Sequence, residues 1–105
     1  MRDTALEKEI VDKGLTAPRV TLKDLMDNIV DTEILQHTTK NGSVLRWAIL
    51  TLRNGFTATG KPAASVSAEN DDIEIGTKIA IDNAHNELWP LMGYALAEKL
   101  NNMEK

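Results

Sequence analysis

The residues best equipped for chemistry in this chain are two histidines, each with a carboxylate at helical spacing. Glu33 and His37 stand four apart, and Asp82 and His85 stand three apart. On helices each pair would project both groups from one face, and two such helices could offer four ligands to a divalent ion. The same pairs are commonplace on solvated helices, and Thr32 to Gln36 already reads as the end of one, so the expectation is no metal. Arg46 and Arg53 offer bidentate N–H donors to a carboxylate or phosphate, with Trp47 and Phe56 close by as surfaces on which a base could stack. Nucleophilic catalysis has little support. There is no Cys, no Gly-x-Ser-x-Gly elbow, and Ser43, Ser65 and Ser67 fall in turn or linker contexts. The stretch "NGFTATG" lacks the Lys-Ser/Thr pair of a phosphate loop. The acidic run Glu69, Asp71, Asp72 and Glu74 reads as the first turn of a helix, where carboxylates favour the dipole. The expectation is therefore a non-enzyme with no catalytic residue and no cofactor.

These groups depend on the elements that carry them. Leu6, Ile10 and Val11 among charges predict a short helix over 4–13, stopped at Gly14. Pro18 breaks the chain, and Thr21 caps a second helix in which Leu22, Leu25, Met26, Ile29 and Val30 share one face. The segment "HTTKNGS" (37–43) has turn chemistry and introduces "VLRWAILTL" (44–52), nine residues of strand-forming types. Asn54-Gly55 predicts a two-residue hairpin turn with positive φ at both positions, which sets Leu52 opposite Thr57 and Leu50 opposite Thr59. One face of that strand then carries Leu45, Trp47 and Ile49, the other Val44, Ala48, Leu50 and Leu52. With both faces apolar, it must be covered on each side or paired with another subunit.

Residues 61–68, "KPAASVSA", read as a linker. From about Asn70 to Leu100 the pattern is helical, with Ile73, Gly76, Ala80, Ala84 and Leu88 on one stripe. Pro90 is expected to kink this helix or to start a new one, flanked by Trp89 and Tyr94. The fold class expected is α+β: a β-hairpin over about 44–60 packed with amphipathic helices and a long C-terminal helix kinked near Pro90. The 105 residues fit one domain, with 1–20 as a flexible N-terminal helix and 21–105 as the globular core. No apolar run approaches the roughly 18 residues of a membrane span.

Charge is segregated along the chain. Residues 34–68 hold none of the sixteen acids but four bases, Lys40, Arg46, Arg53 and Lys61, while the flanking segments hold eight acids each, giving a formal net charge of −4. This segregation has two physical accounts. Acidic helices could pack on a basic ribbon within one molecule, or the ribbon could steer an acidic partner toward itself. Duplex DNA is disfavoured, because four local bases on a negative chain neutralise few phosphates.

"LTLRNGFTATG", "ENDDIEIGTKIAIDNA" and "WPLMGYALAEKL" together resemble the small tailed-phage proteins grouped as the gene-product forty-nine and gene sixty-six family, over about residues 44–100. Leu-Arg-Asn-Gly-Phe, Thr-Gly, Ile-Gly, Lys-Ile-Ala, Asn-Ala and Trp-Pro-Leu-x-Gly-Tyr occur in the family's order. A Ser-Ala-Cys stretch that often follows Thr-Gly in the family is replaced here by Lys61-Pro62-Ala63-Ala64-Ser65, so no cysteine role carries over. The resemblance implies a phage protein working in the cytoplasm of a host bacterium, and it supplies no catalytic residues. The expected function is binding of an acidic host protein, for host takeover or inhibition of an antiphage defence. Arg46, Arg53 and Lys61 would supply attraction, and Trp47, Asn54, Phe56, Trp89 and Tyr94 complete the expected binding residues. The alternative is a homo-oligomer that sequesters a nucleotide signal. No membrane partner is expected.

Overall fold

Two copies of one local signal organise the centre of the chain. Lys40-Asn41-Gly42 and Arg53-Asn54-Gly55 form the same turn: the Gly42 N–H donates to the Thr39 carbonyl at 3.0 Å and the Gly55 N–H to the Leu52 carbonyl at 2.9 Å. Both glycines have positive φ, +91° and +88°, and among the described residues no other residue type does. Each is therefore a type I turn closed by a left-handed glycine, giving a three-residue hairpin loop.

The computed structural model describes residues 2–15 and 17–103. Its order is α1 (Arg2–Asp12), α2 (Leu22–Asn28), β1 (Ile29–Thr38), β2 (Val44–Leu52), β3 (Thr57–Thr59), β4 (Ala63–Ser65), a 3-10 turn (Ala68–Asn70) and α3 (Ile73–Met103). All four strands form one antiparallel sheet. β1 pairs along one side of β2; β3 and β4 pair with the C-terminal and N-terminal halves of its other side. The α+β class holds, with the hairpin where it was expected.

Several expectations are corrected. The second helix stops at Asn28, and Ile29 and Val30 belong to β1. Glu33 and His37 consequently lie on a strand, where positions four apart are about 13 Å from each other, and do not form a ligand pair on a helical face. The hairpin register shifts by one: Leu52 N–H donates to the Phe56 carbonyl at 2.8 Å, and Leu50 faces Ala58, not Thr59. Asn54 does not adopt positive φ, so the two-residue loop is excluded. The supposed linker 61–68 contributes β4. Helix α3 continues through Pro90 without a new start.

The chain packs as two units. One comprises 29–88, the other 1–28 with 89–105. In the first, β2 alternates strictly: Val44, Arg46, Ala48, Leu50 and Leu52 are buried, and the residues between them are half-buried. Ala80, Ala84 and Leu88 of α3 are buried with them. The opposite face of the sheet, with Leu45, Trp47 and Ile49, is left partly open.

In the second unit, Thr21 and Asp24 close a reciprocal cap on α2: the Asp24 N–H donates to Thr21 Oγ1 and the Thr21 N–H to Asp24 Oδ2, each at 3.0 Å. α1 ends as expected at Gly14, with φ +70° and a Leu15 N–H to Ile10 carbonyl bond. The Glu7 carboxylate ties α1 to the start of α2, accepting from Arg19 and from the Leu22 N–H. Those two donors hold its pKa below the usual carboxylate value.

Candidate functional site

The most elaborate polar arrangement among the described residues centres on Arg46. Because β2 alternates, Arg46 points with Val44 and Ala48 into the interior, where it is 3% exposed. An isolated charge there would be costly, and two partners remove the cost. Its Nη1 and Nη2 donate to the two carboxylate oxygens of Asp71, both at 2.6 Å, and Nε donates to Gln36 Oε1 at 3.0 Å. Ser65 Oγ donates to Asp71 Oδ1 at 3.1 Å. The guanidinium beside it holds the Asp71 carboxyl below the ordinary carboxylate range, and the Arg46 pKa is raised in turn by the same hydrogen bonds. Gly76 makes room: a β-carbon there would stand 2.8 Å from Nη1.

This cluster joins β1, β2, β4 and the segment leading into α3. A carboxylate with a lowered pKa, committed to three hydrogen bonds, is a poor proton acceptor, and a guanidinium with both faces of its fork occupied has little left for a ligand. Its chemistry is cross-linking. A groove of about 190 Å³ lies beside it, lined by Ala63, Ser65, Asp72, Ile75, Gly76 and Ile79. Neighbouring acids have separate tasks: Asp72 Oδ1 accepts from the Ile75 N–H at 2.9 Å as the cap of α3, and Glu74 pairs with Lys78 at 3.1 Å.

The expected basic cluster is therefore dispersed. Arg46 is inside, so it cannot meet a partner as an exposed cation. Lys40 and Arg53 sit in the turns at opposite ends of nine-residue β2, roughly 30 Å apart at strand rise. Lys61 is exposed between β3 and β4, and its carbonyl accepts from Asn83 Nδ2 at 3.0 Å. Of the four bases in residues 34–68, Arg46 is shown paired with an acid of the C-terminal segment, Asp71.

The remaining candidates divide. Arg53, Asn54 and Phe56 form the exposed tip of the β2–β3 hairpin, with Phe56 53% exposed and its N–H held by Asn54 Oδ1 at 3.0 Å. Trp47 is half-buried on the open sheet face opposite Leu35. Trp89 and Tyr94 belong to the other unit. There Trp89 lines a cavity of about 330 Å³ with Leu6, Ile10, Arg19 and Val20, and Tyr94 is 70% exposed.

Gln36 and Leu35 are not singled out by the sequence, and Asp71 and Ser65 read there only as a helix-start acid and a linker serine, whereas Asp71 precedes α3 and Ser65 lies in β4. The signal for β1 was present: Asn41-Gly42 repeats the basic-Asn-Gly turn of Arg53-Asn54-Gly55, and a hairpin turn before β2 requires a strand before the turn. Asp71 as the partner of Arg46, 25 residues away, has no local signature.

Among the described residues no group of three or more metal-ligating side chains converges, and no helix is long and apolar enough to cross a membrane. No curated protein and no solved structure matches the chain. The model of the phage protein family described as N4 Gp49/phage Sf6 gene 66 matches residues 20–100. The likeness thus reaches further toward the N-terminus than the motifs from residue 44 onward indicated. It takes in the capped helix α2, strand β1, both glycine turns, the Arg46–Asp71 cluster and the Trp-Pro segment of α3, and on that span the chain belongs to the N4 Gp49/Sf6 gene 66 family of phage proteins.

Proposed function

We propose that this protein is a non-catalytic phage accessory protein that acts in the host cytoplasm by binding a bacterial protein, in the service of host takeover or of blocking an antiphage defence. The observation that carries the reading is the hairpin tip, where an exposed aromatic and an arginine stand on a turn fixed by three hydrogen bonds. A rigid tip loses little conformational entropy on docking, and Phe and Arg beside each other suit a contact with an apolar hollow rimmed by carboxylates. The basic-ribbon surface is narrowed accordingly: Arg53, Asn54 and Phe56 remain, with Lys61 contributing at longer range, and Arg46 is withdrawn.

The test is capture from bacterial lysate with the wild type, followed by purification of whatever is retained and titration against Arg53→Glu/Phe56→Ala. A central anchor and its charge neighbour should together cost about 2 kcal/mol or more, roughly thirtyfold in Kd. Equal affinity of both proteins for the same partner rejects the tip as the contact. A nucleotide-sequestering oligomer would give a different result, a nucleotide released on denaturation and no retained protein.

A further inference from the structure

Strand β1 is an exposed sheet edge. Nine of its ten residues are exposed; a bulge and Asp31 guard its start, but from Thr32 to Thr38 the ladder is regular, with no Pro, Lys or Arg and Glu33 as its one acid. Its outward hydrogen-bonding groups can be identified. Thr39 N–H donates to the Ser43 carbonyl at 2.8 Å, and the register from Asp31 to Thr38 is unbroken. By the alternation of an antiparallel ladder, His37, Leu35 and Glu33 also turn their backbone groups to β2, and Thr32, Ile34, Gln36 and Thr38 turn theirs away. That unpaired row is a template for another strand.

The side chains indicate which strand fits. On the open face β1 carries Glu33, Leu35 and His37, opposite Ile49, Trp47 and Leu45. If β1 pairs antiparallel with itself about a two-fold axis at Leu35, Ile34 meets Gln36 of the second copy and Thr32 meets Thr38, so every outward N–H and C=O is matched. On the open face Leu35 meets Leu35, and Glu33 meets His37 twice, once on each side of the axis. Trp47, Leu35, Leu35 and Trp47 then form one apolar row across the joint, covering a Leu35 that is 54% exposed in a single copy. We infer that this protein forms a two-fold dimer by edge pairing of β1, with Leu35 on the axis and reciprocal Glu33–His37 contacts flanking it.

The chain has no cysteine, which permits a direct test on the whole 105-residue chain. Leu35 would occupy a non-hydrogen-bonded pair, whose Cα atoms lie about 4.5 Å apart, within the roughly 4.4–6.8 Å a disulfide spans. Leu35→Cys should therefore give a covalent dimer under mild oxidation, and the wild type should have twice the 11.6 kDa protomer mass in sedimentation. Ile34→Pro removes only an outward N–H, and should weaken association by about tenfold or more with the circular dichroism retained. Should that variant fail to fold, the charge series decides. Glu33→Lys and His37→Glu should each weaken the dimer about tenfold, and the double exchange should restore it. A wild type that sediments as a monomer at high micromolar concentration overturns the inference. So does a dimer whose strength ignores the charge series, or one that Leu35→Cys leaves unlinked.

Discussion

Gly60 offers the sharpest test of how the sheet meets α3. A β-carbon built there would stand 2.4 Å from the Asn83 carbonyl carbon and 2.5 Å from both the Asn83 oxygen and the Ala84 nitrogen. All three atoms are helix backbone, which cannot rotate aside as a side chain can. Ordinary contact begins near 3.4 Å, so Gly60→Ala must push the chain back by about 1 Å. Backbone conformation is not the issue, because Gly60 is not among the positive-φ glycines. Overpacking of this kind costs about 1–3 kcal/mol. The retreat also stretches the 3.0 Å bond from Asn83 Nδ2 to the Lys61 carbonyl, worth about 1 kcal/mol. Together they predict a loss of about 2–4 kcal/mol, a large share of the roughly 5–15 kcal/mol typical of a domain. At about 4–8 °C per kcal/mol, the melting temperature should fall by roughly 8–32 °C. Thermal and urea unfolding followed by circular dichroism would measure it, with Asn83→Ala separating the hydrogen bond from the steric part. A Gly60→Ala protein within about 0.5 kcal/mol of wild type would refute the close approach of this segment to α3.

The same geometry predicts further outcomes. Asp71→Asn keeps the shape but leaves the Arg46 charge without its counter-ion, so the variant should be clearly less stable than wild type at neutral pH, as read from its urea midpoint. Asp71 has a depressed folded-state pKa. Its contribution is therefore full above the unfolded value of about 3.9 and is lost as pH falls through the folded value; the gap between wild type and Asp71→Asn should be constant from pH 7 to about 5 and narrow only in strong acid. A gap that instead closes between pH 7 and 5 would refute the assignment. Gly93, inside α3 with nothing within 4 Å of a built β-carbon, should behave oppositely to Gly60, with Gly93→Ala raising stability by about 0.5–1 kcal/mol in thermal unfolding.

What the sequence determined by itself was local. Gly14 ends α1 in a left-handed conformation, Thr21 caps α2, Asn54-Gly55 turns the chain, and the strand-forming residue types of Val44–Leu52 make a strand, because each depends on neighbours a few residues away. The stripe Gly76, Ala80, Ala84 and Leu88 was legible for the same reason, although Ile73 at its start is 69% exposed. Tertiary structure decided the rest. Ile29 and Val30 fit a helical face as well as a strand, and pairing with β2 chose the strand, since ladder hydrogen bonds outweigh weak propensities. The one-residue difference between a two-residue and a three-residue loop set the register, which no local preference for Asn-Gly specifies. Arg46 is an ordinary strand cation until Asp71 and Gln36 reach it from 25 and 10 positions away, with Ser65 holding Asp71 in turn; only the folded chain brings those atoms within hydrogen-bonding distance, turning an apparent surface charge into part of the interior.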